Sequence, residues 1–443
     1  MRWFPVIGRG IGVAVVSPRT YPPRQLATEM RRGANNQLAV GSKTVLISGA
    51  GIAGPTLAYW LVRAGFKPTI VERAPAPREG GYVIDFWGIG FDVAERMGII
   101  PALRQSGYVN DRVVFVDEGG RERSAFGGDA LRRALDDRFL SILRSDLARI
   151  LYEAVRNDTE FIFGNEVSAV TELKKHVLVK FKSGILREFD MVVGADGLHS
   201  AVREAAFPRA RTAEHYLGKY AAVFIGKGYS RRDEKTYLSY AAPGRQIGRF
   251  SLRNDETGFF FVFSRRNRDT AFARSLLSQK KALEAVFSGD GWVEWPEISA
   301  QLAAAQTLYF DAVSQIQLPR WSRGRVALVG DAAYCPSLLA GEGAAFAMAG
   351  SYILAGELGR ANGDVRAAFA AYERVFRRFI LRKQKSARGF ASSFSPETRF
   401  GLKVRDIVLR LAANPFIADF LVWRMISDRF ILPDYATQPS ICS

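Results

Sequence analysis

A β-branched run that ends in a Gly-x-Gly-x-x-Gly turn and opens onto a helix leaves a chain few ways to fold. Thr44-Val-Leu-Ile47 has the aliphatic continuity of a strand buried on both faces of a parallel sheet. Gly49, Gly51 and Gly54 follow it at the spacing of a dinucleotide fingerprint. The first glycine permits a tight turn, the second lets backbone approach a pyrophosphate, and the third lets the next helix lie close to the sheet. The pattern predicts that helix over about Ile52 to Arg63, ending at Gly65. Ile52 and Ala53 open it, so its first N–H groups and its dipole would face the phosphates. Pro68 to Arg73 reads as the second strand, and Glu72 at its end lies 23 positions after Gly49. A carboxylate that binds ribose hydroxyls is expected at a separation of ~20.

Two later stretches have the same form, a buried-strand pattern running into a Gly- and Asp-containing turn. They are Met191-Val-Val-Gly-Ala-Asp-Gly-Leu-His-Ser200 and Arg325-Val-Ala-Leu-Val-Gly-Asp-Ala-Ala333. A carboxylate at position 72 argues against a 2′-phosphate, so the first site suits FAD or NAD and not NADP. Taken singly, Asp196 reads as a turn residue bonding its own backbone and Asp331 as a helix N-cap. Together, in this order behind the fingerprint, they point to one flavin pocket.

The three motifs resemble those of the FAD-dependent monooxygenases of the para-hydroxybenzoate hydroxylase type, the single-component aromatic hydroxylases, over roughly residues 43 to 390. The resemblance implies that Gly194 to Arg203, with Asp196 and Gly197, lies near the FAD pyrophosphate and contributes to NADH or NADPH handling. It implies also that Gly330-Asp331 places a carboxylate on the ribityl hydroxyls. Pro336, Gly341 and Gly343 match the family loop, whereas Tyr334 and Glu342 stand where members commonly carry His and Gln. That loop opens an Ala-rich helix from Ala344 to about Leu358, whose N-terminus would stabilise anionic reduced flavin. Arg144, ahead of a helix over about Asp146 to Val155, would by resemblance reach the flavin or its pyrophosphate; the alternative is a surface arginine. Arg73 is a second candidate of the same kind.

At 443 residues the chain exceeds one ordinary domain. The expected architecture is α/β: a discontinuous Rossmann-like FAD-binding domain, an antiparallel β-sheet substrate domain and a C-terminal helical region. The boundaries are expected as a basic, disordered extension over 1–42, FAD-binding segments over 43–210 (with a hairpin near 113–126) and 305–385, the substrate sheet over 211–304, and helices over 386–443. Alternation within 220–226, 235–240, 248–253 and 258–264 signals the antiparallel strands. Half of Phe259-Phe-Phe-Val-Phe263 must face one way, towards a flat apolar substrate or into sheet core. Arg266 to Phe287 reads as an inserted helical region.

The formal charge is +18 and unevenly spread. Residues 1–43 hold seven cations against Glu29 alone, but Pro5, Pro18, Pro22 and Pro23 break any amphipathic transit helix, and Met30 is an alternative start. Arg374 to Arg388 holds seven cations and no acid, interleaved with Phe376, Phe379, Ile380 and Leu381. That helix would touch a membrane surface or acidic partner, or would simply be a solvated outer face. No motif supports nucleic-acid binding. Two cysteines and three scattered histidines give neither a disulfide framework nor a metal site. No run of ~18 apolar residues spans a bilayer, and a cytoplasmic location is expected. The apolar stretch Phe416 to Ile426 would be a lid helix or a docked terminal helix.

The expected activity is a monooxygenase. NADPH or NADH would reduce FAD, and reduced flavin would capture O2 as a C4a-hydroperoxide that oxygenates an apolar, aromatic or polycyclic small molecule. The flavin carries that chemistry, so no catalytic dyad or metal is required. The alternative is an FAD-dependent reductase acting on a prenyl lipid at a membrane surface. Halogenation would need a Trp-x-Trp-x-Ile-Pro signature, and Gly291-Trp-Val-Glu-Trp-Pro-Glu-Ile298 has the wrong spacing. Substrate, donor and oligomeric state stay open. Similarity to members that modify tetracyclines is an analogy of fold.

Overall fold

The computed structural model describes residues 43–77, 81–127, 135, 137–207, 212–269, 275–289, 291–412 and 430–435. The basic leader and the apolar stretch 416–426 lie outside the described residues. Thr44–Ser48 is a central strand of a six-stranded sheet, hydrogen-bonded in parallel to Met191–Gly194 on one side and Lys67–Glu72 on the other. Glu160–Phe163 extends one edge and Val326–Leu328, then Ser322–Arg323, the other. Val45, Leu46, Ile47, Met191, Val192, Val193, Ala327 and Leu328 are all fully buried, which is why these strands are continuously apolar. The strands before the three motifs are neighbours in the sheet. Being parallel, they deliver their three turns to the same carboxyl edge.

The fingerprint helix runs Ala53–Arg63 and ends through Gly65 at φ 83°. The helix after Leu143 runs Arg144–Glu153, the Ala-rich helix Gly343–Arg360. These match the predicted elements to within a turn.

A second sheet of seven strands has the order 309–316, 214–227, 256–264, 245–251, 236–242, 112–116, 122–127. All its pairings are antiparallel except that of Thr236–Ala242 with Arg112–Val116. Phe259, Phe261 and Phe263, with Tyr220, Phe224 and Ile247, face helices Leu276–Phe287 and Trp295–Ala304 and form a core of their own. The opposite face carries Phe260, Val262, Tyr309, Asp311 and Val313 by alternation. There Ala221, Val262 and Val313 pack on Leu338 and Leu339, from the loop behind the third motif. Phe259, Phe261 and Phe263 are thus sheet core, and Phe260 and Val262 turn to the opposite face.

The sheet departs from the expected segmentation in two places. Tyr309–Ile316, expected in the second FAD-binding segment, pairs with Glu214–Lys227, and the hairpin near 113–126 forms the opposite edge. A half-buried strand signals its two faces by alternation, and nothing in that pattern names its partner.

The helix Val365–Phe394 passes unbroken through the boundary expected at 385. Phe376, Phe379 and Ile380 are buried in the main core, while Arg374, Arg378, Arg382, Lys385 and Arg388 face solvent. The apolar stripe that suggested membrane contact is spent on the protein interior; only Leu381 of it remains exposed. Among the described residues no helix is long and apolar enough to cross a membrane.

Candidate functional site

Missing side chains show how closely the three turns approach. A Cβ on Gly49, at φ 108°, would lie 2.6 Å from the Ala195 carbonyl oxygen and 2.8 Å from the Asp196 Cα. One on Gly54 would collide with the Gly49 carbonyl, and so the fingerprint helix starts against its own turn. One on Gly330, at φ 65°, would meet the Ala53 Cβ at 3.2 Å and the Ala347 Cβ at 3.4 Å. Gly343 lies over Asp331, with 3.6 Å from a Cβ to Oδ1. First, second and third motifs and the Ala-rich helix therefore meet at one point.

Gly51 is different. Its Cβ would meet only the Arg144 guanidinium, with Nη2 at 3.4 Å. Helices Ala53–Arg63 and Gly343–Arg360 both start without a side-chain cap, and neither has an acidic residue in its first turn. Helix Arg144–Glu153 also lacks a side-chain cap. Uncapped N–H groups carry partial positive charge, and Arg144 adds a full one above the bare Gly51 backbone. A pyrophosphate fits that cradle. Half-buried Ala344 lies beside Gly343 at the start of the Ala-rich helix, and Ile52 and Ala53 are buried at the start of the fingerprint helix.

Glu72 is buried, its Oε2 accepting from Ala50 N at 2.9 Å and its Oε1 from Ala74 N at 3.0 Å. The carboxylate is thereby oriented at the fingerprint turn. Arg73 is exposed. Asp196 accepts from Ser200 Oγ (2.5 Å) and Val202 N (3.1 Å) of its own motif and from Ser48 Oγ (3.2 Å) at the end of the first strand. Burial pushes its carboxyl pKa up, and those hydrogen bonds oppose the rise. The turn-residue reading of Asp196 describes the first two of these contacts. Gly197, at φ 80°, has open space beside it. Asp331 is less committed, with the Cys335 side chain hydrogen-bonded to its carboxylate. Burial raises its pKa and the Arg144 guanidinium opposes that, so the two lie within electrostatic reach.

Several residues were not singled out from sequence. Buried Arg203 donates to the Leu198 carbonyl at 2.6 Å and the Ala332 carbonyl at 3.0 Å, tying the second motif to the third. Gln384 Nε2 donates to the carbonyls of Ile316 (2.7 Å), Tyr334 (3.2 Å) and Cys335 (3.3 Å). Gln315 Nε2 donates to the carbonyls of Pro336 and Gln384 at 2.7 and 2.8 Å. These two buried amides hold the loop behind Asp331, where Ser337 is forced to φ 141°. Their signal was available only as polar letters inside apolar runs. Tyr334 turns its hydroxyl to Tyr372 at 3.3 Å, and it fits because position 350 is glycine.

Above Asp331, the Tyr82 and Tyr309 rings pack at 5.2 Å. Burial pushes the Tyr82 hydroxyl up to about 12, with Arg144 opposing it and the charges of Asp331 and Asp311 adding to it. Both rings keep partial access to open space. Asp311 pairs with His199 of the second motif at 3.1 Å. The Asp311 hydrogen bond raises the His199 pKa against the opposing effect of burial. Cys335 is buried and its thiol pKa rises well above the ordinary value, chiefly through burial, with the Asp331 charge adding to it. Among the described residues no cluster of metal-ligating side chains exists.

A profile of the FAD binding domain family matches residues 42–370, and the chain belongs to that family. A flavin-dependent monooxygenase of Legionella longbeachae is 34% identical over 394 residues, 88% of this chain and 98% of its own. The crystal structure of tetracycline destructase Tet(55) is similar at TM-score 0.76 and 31% identity, covering 90% of this chain and 100% of that one. Klebsiella pneumoniae HpxO complexed with FAD and uric acid shares the fold at TM-score 0.72 and 22% identity, over 89% of this chain and 99% of its own. The chain is an FAD-dependent monooxygenase of the aromatic-hydroxylase type, acting on a small molecule.

Proposed function

We propose that the enzyme uses NADPH or NADH and O2 to oxygenate a flat, apolar molecule, aromatic or polycyclic, held between the antiparallel sheet and the FAD-binding layer. The Tyr82–Tyr309 pair beside Asp331 and Arg144 carries this reading: two partly open aromatic rings edge the space next to the cofactor cradle. The similarity to a tetracycline destructase supports a fused-ring substrate. FAD, when bound, accepts the donor's electrons and transfers one oxygen atom of O2.

The residues divide the binding work. Arg144 and the first N–H groups of the fingerprint helix, at Gly51, Ile52 and Ala53, neutralise the pyrophosphate, and Gly49 and Gly54 shape the turn that admits it. Glu72 takes the adenosine ribose and Asp331 the ribityl hydroxyls, since carboxylates are strong acceptors for sugar hydroxyls. Gly197 and Gly330 leave room for the pyrophosphate and ribityl chain, and Pro336, Gly341, Gly343 and Ala344 form the wall beside the ring system. Arg73 has no part in the cradle. The lipid-reductase alternative loses one of its two supports, because the apolar residues of the basic helix are packed inside; the other, the apolar stretch 416–426, lies outside the described residues. A cytoplasmic location belongs to this proposal through the nicotinamide donor.

The test is single turnover of the reduced holoenzyme with 18O-labelled O2 and a panel of fused-ring phenols. One labelled oxygen in the product is expected. Donor oxidation that yields only peroxide and unlabelled organic compounds across the panel would sink the substrate assignment.

A further inference from the structure

Glu342 is a departure from the resembled family's pattern, and the structure gives it a partner. It occupies the N-cap position of the eighteen-residue helix Gly343–Arg360 without capping that helix through its side chain. Its Oε1 lies instead 2.9 Å from Lys383 Nζ, with both side chains largely buried. Lys383 comes from the long helix Val365–Phe394, where its ammonium sits 5.6 Å from the centre of the Phe379 ring. Phe379 in turn packs edge-on against Phe346 of the Ala-rich helix at 5.5 Å. The next residue, Gln384, holds the other end of the same loop through the Tyr334 and Cys335 carbonyls. Adjacent residues of one helix therefore clamp both ends of the segment 334–343.

The charge has a consequence for the cofactor. Gly343, the next residue, lies over Asp331. Hydride transfer breaks a C–H bond of the nicotinamide and forms an N–H bond on the flavin. Two electrons and one proton move together, leaving oxidised donor and a flavin with one extra negative charge. The N-terminus of the Ala-rich helix favours that charge, and a lone carboxylate at position 342 would oppose it. An amide there would be neutral. Lys383, at hydrogen-bond distance, offsets the Glu342 charge.

We propose that the Glu342–Lys383 pair is a positioning and charge-balancing device that sets the reduction potential of the bound FAD. The proposal rests on the FAD-binding reading of the site. Buried pairs of this kind are sensitive to removal of one partner, because the other is left uncompensated in a low-dielectric setting.

The experiment is a spectroelectrochemical titration of the purified holoenzyme and of Lys383→Met, Glu342→Gln, the double variant and Lys383→Arg, with FAD content measured alongside. Lys383→Met should shift the reduction equilibrium towards oxidised flavin on the order of tenfold, or about 30 mV for a two-electron couple. Glu342→Gln should shift it the other way, and the double variant and Lys383→Arg should return near the wild-type value. Equal potentials in wild type and both single variants would overturn the proposal, as would a double variant displaced further than either. Should Lys383→Met fail to fold, Glu342→Gln decides alone, since it removes charge and keeps shape. A colourless wild-type protein would instead strike at the FAD-binding reading itself.

Discussion

At the residue scale the fingerprint glycines are not equivalent, and the structure separates them. A side chain on Gly51 meets only Arg144, whereas one on Gly54 strikes the backbone of Gly49. Gly51→Val should therefore leave the melting temperature within a few degrees of wild type and abolish FAD retention. Gly54→Ala should cost about 1–3 kcal/mol or more through overpacking and lose FAD as a result. Yellow Gly51→Val protein, read by flavin absorbance after desalting, would refute the pyrophosphate assignment. His199 provides a pH signature. Its pKa is raised in the folded state by Asp311, with Glu214 adding to and Arg268 opposing the effect. The stability it contributes is complete below the free imidazole value of about 6.5 and is lost as pH rises through the folded value. The difference in Tm between wild type and His199→Gln should shrink as pH rises above the free imidazole value of about 6.5; a constant difference would mean that the pair does not hold the proton.

Elements add what single residues cannot. The seven-stranded sheet is fastened to its helical cover by a buried ion pair. Arg249, on strand Arg245–Ser251, bonds Glu294 through Nε at 2.6 Å and Nη2 at 3.0 Å, at the start of helix Trp295–Ala304. Tyr229 donates to the same carboxylate at 2.6 Å. Glu294→Ala leaves the buried guanidinium with the half-exposed Asp233 carboxylate, 2.7 Å from Nη2, as its remaining acid, and should destabilise by about 3 kcal/mol, the low end for breaking a buried pair. Denaturant unfolding measures this, and a loss below about 1 kcal/mol would class the pair as a surface contact. The strand–turn–helix units that hold the flavin motifs were legible from sequence because each is a local pattern: an apolar run, glycines at fixed offsets, then a helix. Asp331 lies in such a unit, whereas Arg144 came from the family resemblance, with a surface arginine as its alternative. Arg203, Gln315, Gln384 and the Asp311–His199 pair did not, because each acts on a partner dozens to hundreds of residues away.

For the whole molecule, net charge and partition of the core are the relevant quantities. A chain of charge +18 should draw an anionic nicotinamide donor by long-range attraction. The KM for NADPH should then rise as ionic strength goes from about 0.01 M to about 0.15 M, over which the Debye length falls from about 30 Å to about 8 Å. A flat dependence would confine donor binding to short-range contacts. Fold class and the three motif turns were determined by the sequence alone, because they depend on periodicity and on glycine's freedom, which are local; the flavin chemistry followed from the resemblance that those motifs carry. The tertiary structure alone decided that strand Tyr309–Ile316 joins the substrate sheet, that the basic helix hides its phenylalanines, that Asp196 meets Ser48 of the first strand and that Glu342 finds Lys383. Those outcomes depend on which surfaces meet, and a pattern that says only which face is apolar does not say what will cover it.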